Sequence, residues 1–164
     1  MFRKMRREKC ELEKSSAEKI LREGLYGVLA VSGDENYPYA VPINYAVEDN
    51  KIYFHSATTG HKIDAIKNNE KASFCVVDKH DVVSEELTSY YTSAIAFGKI
   101  KIVEDTEEKI HGLELLAEKY SPNIDKNFKE KEIHGKLKAL SVLVMEIEHL
   151  TGKAARELVR KGLK

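Results

Sequence analysis

The 164-residue chain has no tryptophan, two cysteines and three prolines, and its 27 lysines and arginines are matched by 27 aspartates and glutamates. Each scarcity excludes a class. Cys10 and Cys75 stand in no CxxC or metal-like spacing, so a disulfide framework is not expected, and so low a count fits a reducing compartment. Balanced charge leaves no global field to draw the protein to nucleic acid or to an anionic membrane, and neither is expected as a partner. The basic clusters at Phe2-Arg3-Lys4-Met5-Arg6-Arg7 and from Arg156 to Lys164 read as solvated termini. No apolar run is long enough to span a bilayer, and the charged N-terminus lacks the apolar stretch of a signal peptide. The expected location is therefore the cytoplasm. There is no βαβ rhythm and no G-x-G-x-x-G, which argues against a Rossmann domain, and no G-x-S-x-G to support a serine triad.

What is present is a strand-rich pattern. Hydrophobic residues make up 42% of the chain, ordinary for a globular protein, and the length suits one domain spanning residues 1–164. Residues 1–14 read as an N-terminal extension and 151–164 as a C-terminal tail that begins a terminal helix. Ser15 and Glu18 have the form of a capping box opening a short helix that Gly24 closes. Strands are expected over Leu25–Ser32, Tyr39–Val47, Lys51–Ala57, Lys71–Val77, Thr88–Val103 and Leu140–Ile147, with a polar loop over 78–87. Pro42 removes a ladder donor, so it marks an edge, a bulge or a place where ligand meets backbone. Gly98 marks a bulge or bend. In Leu140–Ile147 only the start looks buried on both sides. Asp105 and Glu108 cap a helix whose Ile110, Leu113, Leu116, Ala117 and Tyr120 share one stripe, ending before Pro122. Residues 123–138 are weakly helical. The fold class is mainly β with peripheral helices: six antiparallel strands in a closed or partly closed barrel.

The most informative stretch runs from Tyr37 to Ile66. Two strands joined by a tight turn deliver the chain into Gly60 and the first turn of a helix carrying His61 and Lys62. Free backbone N–H groups at a helix start, with a lysine and a histidine, suit a phosphate. The aromatic and small polar side chains on the two strands suit one flat ligand. Phosphate plus planar ring suggests a nucleotide-like cofactor.

With these segments in order, the chain resembles the pyridoxamine-phosphate-oxidase-like FMN-binding split-barrel flavoproteins, and more narrowly their nitroimidazole-resistance (Nim) branch. The carrying segments are Gly27-Val28-Leu29-Ala30, Tyr37-Pro38-Tyr39-Ala40-Val41-Pro42, Ile52-Tyr53-Phe54-His55, Gly60-His61-Lys62, Phe74-Cys75-Val76, Tyr91 through Gly98, and Thr151-Gly152-Lys153. The resemblance implies a homodimer with FMN at the subunit interface. Pro42, Ile43, Asn44 and Tyr45 would lie along the ring, largely through backbone, with His55, Ser56 and Ala57 continuing that wall. Gly60, His61 and Lys62 would hold the phosphate. Tyr91 and Ser93 would close the site, from the same or the other subunit, and Lys153 would reach it from the tail.

Two departures stand out. The tail Ala154-Ala155-Arg156-Glu157-Leu158 lacks the arginine-containing substrate motif of the true pyridoxamine phosphate oxidases, which argues against vitamin B6 oxidation. Histidine and lysine stand where many relatives have arginine, so less bidentate clamping of the phosphate is expected. The implied activity is an FMN-dependent oxidoreductase passing electrons from a reduced donor to a small organic acceptor such as a nitroaromatic, with His55 as the candidate catalytic residue.

Blander readings stand beside these. Gly60-His61-Lys62 is, taken alone, a surface turn with two solvated cations. His55 is also read as a structural histidine, in which case the protein binds or sequesters a flavin or haem-like ring without turnover. An empty-site split-barrel dimer serving as an interaction module is a third reading. A metal site from His55, His61, Asp64 and Cys75 lacks any known ligand spacing, and none is expected. Tyr91 and Phe97 share a strand face that Tyr90 does not, so the three cannot all serve one ring.

Overall fold

The computed structural model describes residues 2–163; Met1 and Lys164, the ends of the expected extension and tail, lie outside the described residues. Eight strands and five α-helices follow one another as β1 (Glu11–Leu12), α1 (Lys14–Glu23), β2 (Gly27–Ser32), β3 (Pro38–Ile43), β4 (Ala46–Glu48), β5 (Lys51–Ala57), α2 (His61–Asn68), β6 (Lys71–Val83), β7 (Thr88–Ile102), α3 (Thr106–Tyr120), α4 (Lys126–Lys136), β8 (Leu140–Ala154) and α5 (Arg156–Arg160). All pairings are antiparallel, in the order β3-β2-β6-β7-β8-β5-β4, with β1 added to β8. The two ends of this order, β3 and β4, are consecutive in the chain. The barrel is therefore closed by the Asn44-Tyr45 link and not by a ladder of hydrogen bonds, which is the split of a split β-barrel.

The expected count of six strands becomes eight for local reasons. The expected strand Tyr39–Val47 breaks at Asn44-Tyr45 because the Tyr45 side chain turns fully into the core. Its hydroxyl donates to Leu21 O at 2.7 Å, and the Tyr120 hydroxyl accepts from its backbone N–H at 2.9 Å and lies 2.9 Å from its carbonyl. The polar stretch 78–87 is mostly not a loop: Asp78–Val83 extends β6, pairing again with β7 from His80↔Tyr91 after an irregularity. The tail does not begin at Thr151, since β8 continues to Ala154 and pairs there with Thr92. Nor is the N-terminal extension wholly frayed, because Glu11 and Leu12 pair with Lys153 and Gly152. Helix α1 starts one residue ahead of Ser15; the Glu13 carbonyl, not the Ser15 side chain, takes the first free N–H groups, from Ser16 and Ala17. Gly24 does end α1, but in an extended conformation (φ −60°, ψ 142°).

Two hydrophobic clusters share the central strands. Inside the barrel lie Leu29, Ile52, Phe54, Phe74, Val76, Leu143 and Met145, with Ile20 and Leu21 of α1 and Ile63 and Ile66 of α2 sealing it. On the opposite face of β5 and β8, Tyr53, Val142 and Val144 pack with Leu113 of α3 and the partly buried Ile133 of α4. This explains why the start of β8 is buried on both sides: Leu143 and Met145 face one cluster, Val142 and Val144 the other. Helix α3 lies close to the sheet at Gly112, where a Cβ would meet Tyr53 and Val142 at 2.9 Å. Gly98 marks a register irregularity between β7 and β8, where the Glu146 carbonyl occupies the space a Cβ would need.

Candidate functional site

Strand β5 presents alternate side chains to its two faces, and the site grows from that alternation. Ser56 is buried, while His55 and Ala57 are exposed. The chain then turns at Gly60, whose φ of +118° favours glycine, and enters α2. The Gly60 carbonyl accepts from Ile63 N and Asp64 N at 2.8 and 3.1 Å, but no side chain caps this end. Lys62 reaches back and its Nζ donates to Ser56 Oγ at 2.8 Å. An uncapped helix start, a lysine ammonium and a serine hydroxyl thus meet beside β5, a donor set suited to an anion.

His61 is placed differently. Its ring stacks on Tyr39 with centroids 4.1 Å apart, and its Nε2 lies 3.4 Å from Asp34 N and 3.6 Å from Asp34 Oδ2. The neutral ring accepts the Asp34 N–H; the protonated ring pairs with the carboxylate. Either way, the side chain is drawn toward the β2–β3 turn.

His55 has no hydrogen-bond partner among the described residues. Partial burial, and then the positive charge of Lys62, push its pKa below the usual 6.5. It is therefore a neutral imidazole near pH 7. With Asn44 it lines a cavity of about 370 Å³ whose aliphatic walls come from Leu113, Leu116, Ala117, Ile133 and Leu140. Asn44 itself donates from Nδ2 to Leu25 O at 3.1 Å. Ile43 packs partly buried against the barrel core, and Pro42 is exposed on the edge strand, where its missing N–H costs no ladder bond.

Tyr91, Ser93 and Lys153 form a second group. Ser93 is paired with Lys153, whose Nζ lies 5.5 Å from the Tyr91 ring centroid. No hydrogen bond, ion pair or ring contact joins them to His55, His61 or Lys62 within the described chain. The register puts Pro42, Val28, Cys75, Ile95 and Thr151 in one row across β3, β2, β6, β7 and β8, on the outward face that also carries Ser93 and Lys153. Val28, Val77 and Phe97 on that face are 39%, 56% and 36% exposed, an unusual apolar exposure for sheet residues.

Sequence reasoning missed Lys119 and saw Tyr120 only as part of a core stripe. Lys119 Nζ donates to Gly24 O at 2.6 Å and stands 3.9 Å over the Tyr45 ring, with no carboxylate among the described residues paired to it. Burial lowers its pKa from 10.5 to about 8. The unfolded chain thus binds more protons between these two values, so stability rises with pH across that window as the penalty on the ammonium is relieved. Lys119→Met should abolish this rise. Urea midpoints at about pH 7.5 and about pH 10 for both proteins test it, and parallel changes in the two would refute it.

Comparison with known proteins places this arrangement. The sequence model of the family described as pyridoxamine 5'-phosphate oxidase matches residues 13–154. The chain belongs to the pyridoxamine 5'-phosphate oxidase family. The match spans every element from α1 through β8, so the barrel and both helices over its outer face are family features, while α5 lies beyond it. An uncharacterized protein of Rhizobium meliloti (strain 1021) is 28% identical over 149 residues, covering 82% of this chain and 92% of its own length. Two solved structures share the fold. One, a candidate 5-nitroimidazole antibiotic resistance protein from Bacteroides thetaiotaomicron, has a TM-score of 0.73 at 24% identity, over 87% of this chain and 84% of that one. The other, an FAD-binding protein from Mesorhizobium loti, has a TM-score of 0.65 at 22% identity, over 88% and 96%. Among the described residues, no helix is long and apolar enough to cross a membrane, and no group of three or more histidines, cysteines or acids is arranged to hold a metal ion.

Proposed function

We propose that this protein is an FMN-dependent oxidoreductase that passes electrons from a reduced donor to a small organic acceptor, with nitroaromatics the leading candidates. The observation that carries the reading is the meeting of Lys62, Ser56 and the uncapped start of α2 on one side of His55, with the apolar cavity on the other. The donor set fits a phosphate, and Pro42, Asn44 and His55 offer an exposed path for a planar ring between phosphate and cavity. Bound there, the flavin supplies two-electron transfer, and the protein positions it. Lys62 holds the anionic end, and His55, neutral near pH 7, donates one hydrogen bond to whatever lies at the cavity mouth. The flavin carried by the Mesorhizobium loti relative supports the cofactor class.

The functional unit is a homodimer. The exposed apolar face of β2, β6 and β7 gives a second copy a surface to bury, and Pro42 lies on that face, so a ring along β3 would sit at the seam between copies. The partner's Tyr91, Ser93 and Lys153 would then close the site, consistent with their separation from Lys62 within one chain. Among the described residues no carboxylate or carbonyl orients His55, which favours a second reading: a protein that holds flavin without turnover.

The visible spectrum of freshly purified protein, before and after heat release, is the first test. Flavin bands with FMN in the supernatant support the cofactor; FAD there would correct its identity. Absence of bands together with failure to take up added FMN would end the proposal. Donor-dependent reduction of nitro compounds by the FMN-loaded protein separates turnover from holding, and no reduction of any nitro compound leaves the second reading.

A further inference from the structure

The cavity beneath α3 and α4 has features that a flavin cradle alone does not require. Its walls are aliphatic, from Leu113, Leu116 and Ala117 on one side and Ile133 and Leu140 on the other. Its polar groups lie at its margins. They are His55, Asn44 and the Tyr120 hydroxyl, with Glu132 and Lys136, which form an ion pair of 2.8 Å. The Tyr120 hydroxyl is already engaged with Leu25 and Tyr45. Among the described residues His55 is the lining polar side chain with no hydrogen-bond partner, while Asn44 keeps its Oδ1 and a second N–H beside its bond to Leu25 O. A volume of about 370 Å³ lies at the small end of the range for ligand pockets, enough for one ring with short substituents.

We infer that this cavity is the acceptor pocket of the proposed oxidoreductase, and that it selects neutral, planar, mainly apolar molecules with a hydrogen-bond acceptor directed at the His55 ring N–H. The inference rests on the oxidoreductase reading but names the substrate class from the pocket alone. An anionic analogue is disfavoured because, among the described residues, the cation in the lining is Lys136, already beside the Glu132 carboxylate, and Lys62 bonds Ser56, whose side chain leaves β5 on the face opposite His55. Lowering of the His55 pKa by burial and by Lys62 fits the same selection, since a neutral ring gives an anion no charge to pair with.

Nitrobenzene and benzoate have nearly the same shape and differ in charge, so they make the test. Nitrobenzene is titrated into the protein, with and without FMN, while NMR follows the methyl groups of Leu113, Leu116 and Leu140 and the ring protons of His55. We expect saturable shifts at these residues and binding at least about tenfold tighter than that of benzoate. Leu116→Phe and Ala117→Leu fill the slot from consecutive positions of α3 and should each weaken nitrobenzene about tenfold or more without changing FMN uptake. Thermal unfolding of each variant identifies one that fails to fold, and the other then serves. Shifts that map elsewhere, equal affinity for benzoate, or unchanged affinity in a folded, filled variant would each overturn the assignment. Failure to take up FMN sinks the oxidoreductase reading instead, because the titration without FMN reads the pocket separately.

Discussion

Replacing Lys62 with alanine should weaken FMN binding by about 10- to 100-fold while leaving the barrel folded, because a charge-assisted hydrogen bond contributes about 1.5–3 kcal/mol. The lysine is only partly buried, and Ser56 Oγ, at 2.8 Å, is its one hydrogen-bond partner among the described residues. Of its three donors, two remain for an anion. The helix start would still offer its N–H groups, which is why a loss beyond this range is not expected. A second readout needs no cofactor. The Lys62 charge is the lesser of two causes lowering the His55 pKa, so its removal should raise that pKa part of the way back toward 6.5. Isothermal titration with FMN and an NMR pH titration of His55 check the two expectations on the same sample. An unchanged FMN affinity with a raised His55 pKa would show that Lys62 tunes the histidine but does not hold the phosphate.

Much of this placement is legible in the sequence because strand alternation is a local signal. The split of Lys51–Ala57 into an inward set (Ile52, Phe54, Ser56) and an outward set (Tyr53, His55, Ala57) follows from period two. The turn at Gly60 and the helix after it are legible for the same reason. The extension Asp78–Val83 was not, because nearly all its side chains are exposed and its order comes from pairing with Thr88–Tyr91, which leaves no burial pattern. The break at Tyr45 is hidden for another reason: pattern gives a continuous strand through it, while a hydroxyl 75 residues later rebuilds its backbone bonding. The cavity was invisible for a related reason. The apolar stripe of α3 was evident, but a stripe does not tell whether its residues meet a strand or line a void. Leu113 contributes to both, packing in the outer cluster and lining the cavity, while its neighbour Gly112 packs on Tyr53.

Tyr120→Phe should destabilise the fold by about 1–3 kcal/mol, a large loss for one oxygen atom, since that is the cost of leaving a buried donor such as Tyr45 N unpaired. The hydroxyl lies 2.6 Å from Leu25 O and 2.9 Å from Tyr45 O, and accepts from Tyr45 N at 2.9 Å. It has one proton, so it serves one carbonyl at a time, and Leu25 O is the nearer. The bond that cannot be replaced internally is the one from Tyr45 N, because Tyr45 follows the point where β3 leaves the sheet and no strand pairs there. Phenylalanine keeps the ring that lines the cavity, so the loss measures the seam and not the packing. Urea unfolding with an unchanged slope is the measurement, and a loss under about 0.5 kcal/mol would mean that water takes over the hydroxyl's role. Tyr45→Phe removes the neighbouring bond to Leu21 O, which ties the same residue to α1. The two substitutions share Tyr45, so the double variant should lose less than the sum of the singles. Once one bond is gone, Tyr45 is already free to shift, and the second bond has less to hold. The seam that closes the barrel and the wall that carries Asn44 toward His55 are the same few residues, so the nitrobenzene affinity of Tyr120→Phe should fall with its stability.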